Sequence, residues 1–185
     1  MVCPSWPLTP YEDTRIRSTS IPKYRSLGWF GVAACTRKPL LLKSLGHLLP
    51  TDAHIEIRKA PFSWALEAEY SQAARIGDIV FTAGQGGFGD DGELVSGGFL
   101  DQTRQALRNV DAALRSHGAD LSSVVKMTVY VPNQADYELF KQVRREFLDA
   151  PWPASTAVSA QLLVPGMLIE IDAVAAVGAK RTLVD

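Results

Sequence analysis

The stretch FLDQTRQALRNVDAALRSHGADLSSVVKMTVYV, residues 99–131, decides the fold of this chain. Within residues 99–117, apolar or β-branched side chains recur at alternating spacings of three and four residues, which predicts an amphipathic helix with one buried face. That face carries Leu100, Thr103, Leu107, Val110 and Leu114. Gly118 is the expected stop of the helix, since glycine is favoured just beyond a helix end.

The second half of the stretch, residues 123–131, is rich in β-branched residues and stops at Pro132. This composition predicts a strand. Alternate side chains of a strand point to the same side, so the expected buried face holds Val125, Met127, Val129 and Val131. We expect that face to pack against the helix.

A second helix is predicted downstream, over residues 135–148. Its expected buried stripe is Tyr137, Phe140, Val143 and Phe147, while Lys141, Arg144 and Arg145 are expected to turn toward solvent. Pro151 and Pro153 follow the helix and prevent it from continuing.

Further strands are predicted on both sides of this unit. Residues 54–58 alternate as a half-buried strand, and residues 68–75 and 79–83 flank a Gly77-Asp78 turn that is typical of a hairpin. Residues 155–163 and 168–177 are predicted to form a final hairpin through Val164-Pro165-Gly166.

The order of these elements predicts an α+β fold in which two helices pack on one face of a mixed sheet. The opposite face must contact solvent or another subunit. We expect apolar or β-branched side chains on it at Val80, Thr82, Val158 and Val174, which favours homo-oligomerisation.

The first 53 residues differ in character from the rest. They contain seven Lys/Arg against three Asp/Glu, six prolines, both cysteines of the chain and no clear helical or strand period. We therefore interpret residues 1–53 as a basic, disordered extension and residues 54–185 as the folded domain. An over-long start of the reading frame and an organellar transit peptide are the alternatives, and Glu12 and Asp13 disfavour the latter. A cytoplasmic location is expected.

Composition and motifs exclude several classes of function for residues 54–185. Twelve Lys/Arg against 17 Asp/Glu disfavour a nucleic-acid partner held by charge. The Gly-rich run of residues 84–92 lacks the Lys-Ser/Thr of a phosphate-binding loop. No metal-ligand spacing and no Ser-His-acid arrangement is apparent, so we expect neither a metal nor a cofactor, and no membrane association.

Several local strings together resemble the Rid family, the reactive intermediate deaminases also labelled endoribonuclease L-PSP or translation initiation inhibitor. They are Tyr70-Ser71-Gln72-Ala73, Thr82-Ala83-Gly84-Gln85, Gln102-Thr103 with Leu107-Arg108-Asn109-Val110, Val124-Val125-Lys126-Met127-Thr128-Val129 and Ile169-Glu170-Ile171-Asp172-Ala173. The strings occur in family order and cover residues 55–177. The resemblance implies a chorismate-mutase-like protomer and a barrel-shaped homotrimer with small-molecule clefts between subunits.

The same resemblance implies roles for individual residues. Glu170 corresponds to the catalytic acid that orients water toward an imine carbon, although a solvent-facing strand would show the same alternation of acidic and apolar residues. Substrate-binding positions are implied at Tyr70, Thr82, Ser155 and Ala157, and Lys141, where the family often has an asparagine, is a candidate substitute cation. An ordinary strand tyrosine at position 70 and a solvated helix lysine at position 141 are the alternatives.

One position departs from the family pattern. Family members that hydrolyse imines and enamines have Pro-Ala-Arg-Ser where this chain has Pro153-Ala154-Ser155-Thr156. The arginine binds a substrate carboxylate through a planar, bidentate guanidinium, and a serine hydroxyl supplies no charge to replace it.

Two functions from different classes follow from this departure. The first is hydrolysis of a reactive imine or enamine to a carbonyl compound and ammonia, with a substrate range altered by Ser155. The second is a non-catalytic homotrimer that binds a small metabolite in the same clefts. Ribonuclease activity is the least favoured of the family labels because the domain has no basic stripe.

Overall fold

The computed structural model describes residues 54–184, so the predictions made for residues 1–53 lie outside the described part. The strands are β1 (Ile55–Ile57), β2 (Ala73–Ile76), β3 (Ile79–Thr82), β4 (Gln85–Gly86), β5 (Val124–Val131), β6 (Ala154–Ser159) and β7 (Glu170–Ala176). The α-helices are α1 (Phe99–Arg115) and α2 (Tyr137–Arg144). Single 3-10 turns occur at Ser63–Ala65, Leu121–Ser123 and Gln134–Asp136.

The strands form one mixed sheet in the order β1-β2-β3-β7-β5-β6, and the short β4 pairs with β7. All described pairings are antiparallel except that of β5 with β6. Both helices contribute to the core on one side of this sheet. The predicted α+β class, a mixed sheet with helices on one face, is confirmed.

The final hairpin predicted from residues 155–177 is wrong. The turn forms at Val164, whose carbonyl accepts from the Met167 N–H, but β6 and β7 are separated by β5. Because α2 connects β5 to β6, the two strands run parallel, and β7 then returns between β3 and β5. Turn composition identifies a reversal of the chain and carries no information on which strands pair after it.

The core lies between α1 and the central strands β7 and β5. Leu107, Val110 and Leu114 of the predicted stripe are fully buried, whereas Leu100 is only half-buried. Thr103 is also buried, and its hydroxyl donates to the Phe99 carbonyl one turn earlier. The sheet meets this stripe with Met127, Val129, Ile171, Ala173 and Ala175.

A β-bulge overturns the predicted placement of Val125. The pairing of β5 with β7 shifts register between Val124 and Lys126, so Val124 is buried in the core and Val125 is 51% exposed. A bulge inserts one unpaired residue and thereby reverses the alternation on one side of it. Met127, Val129 and Val131, beyond the bulge, face the core as predicted.

Two other placements differ from the expectation. Arg144 is half-buried instead of solvated, with its guanidinium 4.6 Å from the Trp152 ring centroid and 5.8 Å from that of Phe140. The predicted strand over residues 68–75 begins only at Ala73. The chain bends before it, where the buried Gln72 side chain turns inward to contact Gln85.

The sheet face opposite the helices is partly apolar, although not through all the residues predicted. Val80 is buried in the core, and Thr82 shares its side of β3. The open face instead carries Ile79 and Phe81, 37% and 47% exposed, with Val174 opposite Phe81 on β7. Ile55 and Ile57 extend this apolar area along β1.

The packing of α1 on the sheet predicts the effect of a core truncation. Leu107→Ala removes a fully buried side chain and leaves a cavity, so the free energy of unfolding should fall by about 2–5 kcal/mol. Urea denaturation followed by circular dichroism measures the change. The matched substitution Leu163→Ala, at a position 97% exposed, should change the free energy of unfolding by less than about 0.5 kcal/mol; equal losses in the two variants would contradict this description of the core.

Candidate active site

A pocket of about 280 Å³ lies beside the start of β7. Its walls are Glu170 and Asp172 from β7, Tyr130 from β5, Gly84 from the loop after β3, and the segment that follows β6. That segment contributes Ala160, Gln161, Leu162 and Leu163. The pocket is therefore built where the polar ends of two central strands meet two loops.

Strand alternation explains why acidic side chains reach this pocket. Ile171 and Ala173 face the core, so Glu170 and Asp172 must face the opposite side of the sheet. Tyr130 lies directly beside Glu170 in the β5–β7 ladder, and its hydroxyl donates to Asp172 Oδ2 at 3.1 Å. The three polar side chains thus share one patch of the open face.

Gly84 determines the position of the Glu170 carboxyl group. A Cβ added at Gly84 would overlap Glu170 Oε1 and would lie 2.7 Å from the carboxyl carbon. The Glu170 carboxyl therefore packs directly on the Gly84 backbone, and any side chain at position 84 displaces it.

Buried amides hold the loop that carries Gly84. Gln85 Nε2 donates to Gln72 Oε1 at 2.9 Å, and the Ala83 N–H donates to the Gln72 carbonyl at 2.9 Å. On the α1 side, Asn109 Nδ2 donates to the carbonyls of Gly86 and Phe88, both at 2.9 Å. These bonds satisfy polar groups that would be costly to leave unpaired inside the fold, and they fix the loop against the sheet.

The environment favours proton uptake by Glu170. Burial raises the pKa of this carboxyl group above its ordinary value, and the negative charge of Asp172 raises it further. The pKa of the Tyr130 hydroxyl is also raised, first by burial and then by its hydrogen bond to Asp172, so the phenol stays protonated at neutral pH and donates. A carboxylate with raised proton affinity is a better general base than an ordinary glutamate.

Tyr70, Thr82 and Lys141 lie outside this pocket in the single chain. Tyr70 is 60% exposed and lines a separate depression near Arg58. The Thr82 hydroxyl accepts from the Ala173 N–H at 3.0 Å and so continues the ladder between β3 and β7. Lys141 Nζ lies 2.6 Å from Glu138 Oε1 on α2 and 5.5 Å from the Tyr137 ring centroid.

Ser155 and Ala157 lie on the edge strand β6, on the side of the sheet away from Glu170. Tyr130 pairs with both Glu170 and Val158, so these three side chains point the same way. Ser155 is three residues before Val158, which turns it to the other face and moves it about 10 Å along the strand. One chain therefore does not bring Ser155 and Glu170 into one pocket.

Sequence reasoning missed Tyr130 as a site residue. Tyr130 alternates along β5 with the core residues Met127, Val129 and Val131, so its side chain points to the other face of the sheet. Its place beside Glu170, however, depends on the pairing of β5 with β7, which no local pattern reveals. The sequence also contained no sign that Leu162 and Leu163 line this pocket. Strand composition predicts that residues 160–163 extend the strand, whereas β6 ends at Ser159.

Within residues 54–184, no group of three or more His, Cys, Asp or Glu side chains is placed to hold a metal ion. No helix in this part of the chain is both long enough and apolar enough to cross a bilayer.

Comparisons with known proteins identify the family. The family model for endoribonuclease L-PSP matches residues 58–177. A RutC family protein from Pyrococcus horikoshii is 40% identical over 107 residues, covering 57% of this chain and 85% of that protein. Human 2-iminobutanoate/2-iminopropanoate deaminase is 34% identical over 114 residues, covering 61% of this chain and 83% of the enzyme.

Solved structures agree with the family match. RidA from an Antarctic Psychrobacter species is 32% identical, with a TM-score of 0.58 over 66% of this chain and 98% of that one. Escherichia coli TdcF with bound serine is 29% identical, with a TM-score of 0.57 over 68% of this chain and 98% of that one. The chain belongs to the endoribonuclease L-PSP family, of which the Rid proteins are members.

The contact between Gly84 and Glu170 predicts a sensitive position. Gly84→Ala should displace the Glu170 carboxyl group and change its pKa, which NMR titration of the glutamate side chains measures. Gly89→Ala is the matched control, because its nearest neighbour is the flexible Asp91 side chain at 3.1 Å. An unchanged Glu170 titration in folded Gly84→Ala protein would contradict the described contact.

Proposed function

We propose that this protein hydrolyses a reactive imine or enamine to a carbonyl compound and ammonia. The observation that carries the proposal is the half-buried Glu170 carboxylate, seated on the Gly84 backbone in a small pocket and given a raised pKa by burial and by Asp172. Relatives named as 2-iminobutanoate/2-iminopropanoate deaminases support the same reaction class.

The reaction needs one group that accepts and returns a proton. Glu170 takes a proton from water as the water oxygen bonds to the imine carbon, and the electron pair of the C=N π bond moves to nitrogen. Glu170 then delivers that proton to nitrogen. The carbinol hydroxyl proton then passes through Glu170 to the amino nitrogen, the C–N bond breaks to release ammonia, and the oxygen electron pair forms the C=O bond.

The complete site is assembled between subunits in this proposal. Ser155 and Glu170 face opposite sides of the sheet in one chain, so the β6 residues that the family resemblance implies must reach Glu170 from a second copy. The exposed apolar area around Phe81, Ile55 and Ile57 supports association of copies through the open face. A homotrimer is the expected assembly.

Ser155 alters the expected substrate range. It places a short neutral hydroxyl where imino-acid deaminases of the family have a guanidinium, so a substrate carboxylate loses its charge-assisted, bidentate partner. We therefore expect small imines without an α-carboxylate to be better substrates than 2-iminopropanoate. The same substitution favours the alternative function, a homotrimer that binds a metabolite without converting it.

The experiment compares two imines made in situ: 2-iminopropanoate from alanine and ethanimine from ethylamine. Glu170→Gln should lower kcat/KM by at least about a hundredfold, because the amide accepts no proton. Loss of imine above the uncatalysed rate and release of ammonium are measured for each. Activity that is equal in natural protein and Glu170→Gln would rule out the proposed role of Glu170.

A second variant separates the two functions. Ser155→Arg should raise kcat/KM for 2-iminopropanoate by about thirtyfold. A charge-assisted hydrogen bond contributes about 2 kcal/mol, which corresponds to that change in rate. Ser159→Arg, on the same side of β6, is the matched control for added charge. No acceleration of either imine by natural protein or Ser155→Arg would favour the binding function.

The assembly itself is tested on the open face. Phe81→Asp places a charge in the apolar area and should shift the protein from about three subunits toward the 20.2 kDa monomer in size-exclusion chromatography with light scattering. Asp78→Asn, at the exposed β2–β3 turn, should leave the assembly unchanged. A natural protein that is already monomeric would refute the trimer.

A further inference from the structure

The pocket beside Glu170 contains an unusual excess of negative charge. Two carboxylates and one phenol face it, and among the residues that line it in the described chain none is Lys or Arg. The remaining walls are the Gly84 backbone, Ala160, Gln161 and the two leucines at positions 162 and 163. No cationic side chain among these lining residues offsets the negative charge of Asp172.

We propose that Asp172, fixed by the Tyr130 hydroxyl, is the specificity-determining group of this pocket, which takes substrates as iminium cations that lack a carboxylate. The inference rests on the proposed imine hydrolysis and names the substrate class. Tyr130 is a positioning residue, since it acts through Asp172.

The fixed geometry of Asp172 supports this assignment. Its Oδ2 accepts from the Tyr130 hydroxyl at 3.1 Å, and both residues lie on paired central strands whose other faces are buried in the core. Glu170 and Asp172 are two positions apart along one strand, which spaces their Cα atoms by about 7 Å. At that distance the two carboxylates interact electrostatically with each other, and both interact with a ligand bound between them.

Other charged groups around the pocket do not neutralise Asp172. Tyr130 is the neighbour from β5 and is neutral while it donates. Lys126, farther along the same face of β5, directs its Nζ to Thr156 Oγ1 at 2.7 Å and to the Met127 carbonyl at 3.0 Å. From the loops, Gly84 and residues 160–163 bring no titratable side chain.

This charge has two chemical consequences. It favours the protonated iminium form of a substrate, which water attacks more readily than the neutral imine, and it repels the carboxylate of an imino acid. It also contributes to the raised pKa of Glu170, so proton uptake by Glu170 and substrate selection arise from the same side chain.

The decisive measurement is the ratio of kcat/KM for ethanimine to that for 2-iminopropanoate, each divided by its uncatalysed rate. Asp172→Asn should move this ratio toward 2-iminopropanoate by on the order of tenfold. It should also move the acid limb of the pH profile to lower pH, because Glu170 loses a neighbouring negative charge. Tyr130→Phe should change the ratio in the same direction and by less, because the Asp172 carboxylate loses the hydrogen bond that fixes its position.

Asp78→Asn is the matched control. It removes one negative charge from the exposed β2–β3 turn, at the end of β3 away from Gly84, and should change neither the ratio nor the pH profile. A merely structural role of Asp172 would lower both rates together and leave the ratio unchanged, which would overturn the inference.

Carboxyl NMR titration of Glu170 in natural protein, Asp172→Asn and Tyr130→Phe gives a readout that needs no turnover. A lower pKa of Glu170 in Asp172→Asn supports the inference, and an unchanged pKa overturns it. Failure of the proposed function is distinct, since it appears as equal rates for natural protein and Glu170→Gln. An active protein that prefers 2-iminopropanoate would overturn the inference while imine hydrolysis stands.

Discussion

The alternation of side chains along the central strand β7 is the constraint on which the rest of the structure depends. Ile171, Ala173 and Ala175 are buried against α1, and the same period turns Glu170 and Asp172 to the opposite face. A slip of one residue would bury both carboxylates beneath the helix and expose the apolar set. The hydrophobic core therefore also fixes the direction in which the acidic groups of the site point.

The neighbours of β7 convert this direction into a site. β5 supplies Tyr130 beside Glu170, while the loop between β3 and β4 supplies the bare backbone of Gly84. Buried amides of Gln72, Gln85 and Asn109 hold that loop, so the carboxyl group of Glu170 meets a rigid surface. A site on paired strands, supported by buried hydrogen bonds, is suited to keeping one proton-transfer group in a defined position.

The family relationship bears on the fold, whereas the residue at position 155 bears on substrate choice. Family membership follows from a match over residues 58–177 and explains the shared fold. Substrate choice depends on side chains that can vary on that fold, and this chain has Ser155 where the family resemblance implies an arginine. In the proposed function, the negative charge of Asp172 and the absence of a guanidinium at position 155 both act against anionic substrates.

The sequence by itself determined the elements and their buried faces. Leu107, Val110 and Leu114 of α1 and Met127, Val129 and Val131 of β5 follow from periods of 3.6 and 2, because burial of one face is a local property of each element. Local strings also predicted Glu170 as the catalytic acid through family resemblance, and its side chain lines the candidate pocket. Three facts were decided only by the tertiary structure: the parallel placement of β6, the bulge that exposes Val125, and the contact of Tyr130 with Asp172. Each depends on which strands become neighbours, and that choice is made by packing between segments far apart in the chain.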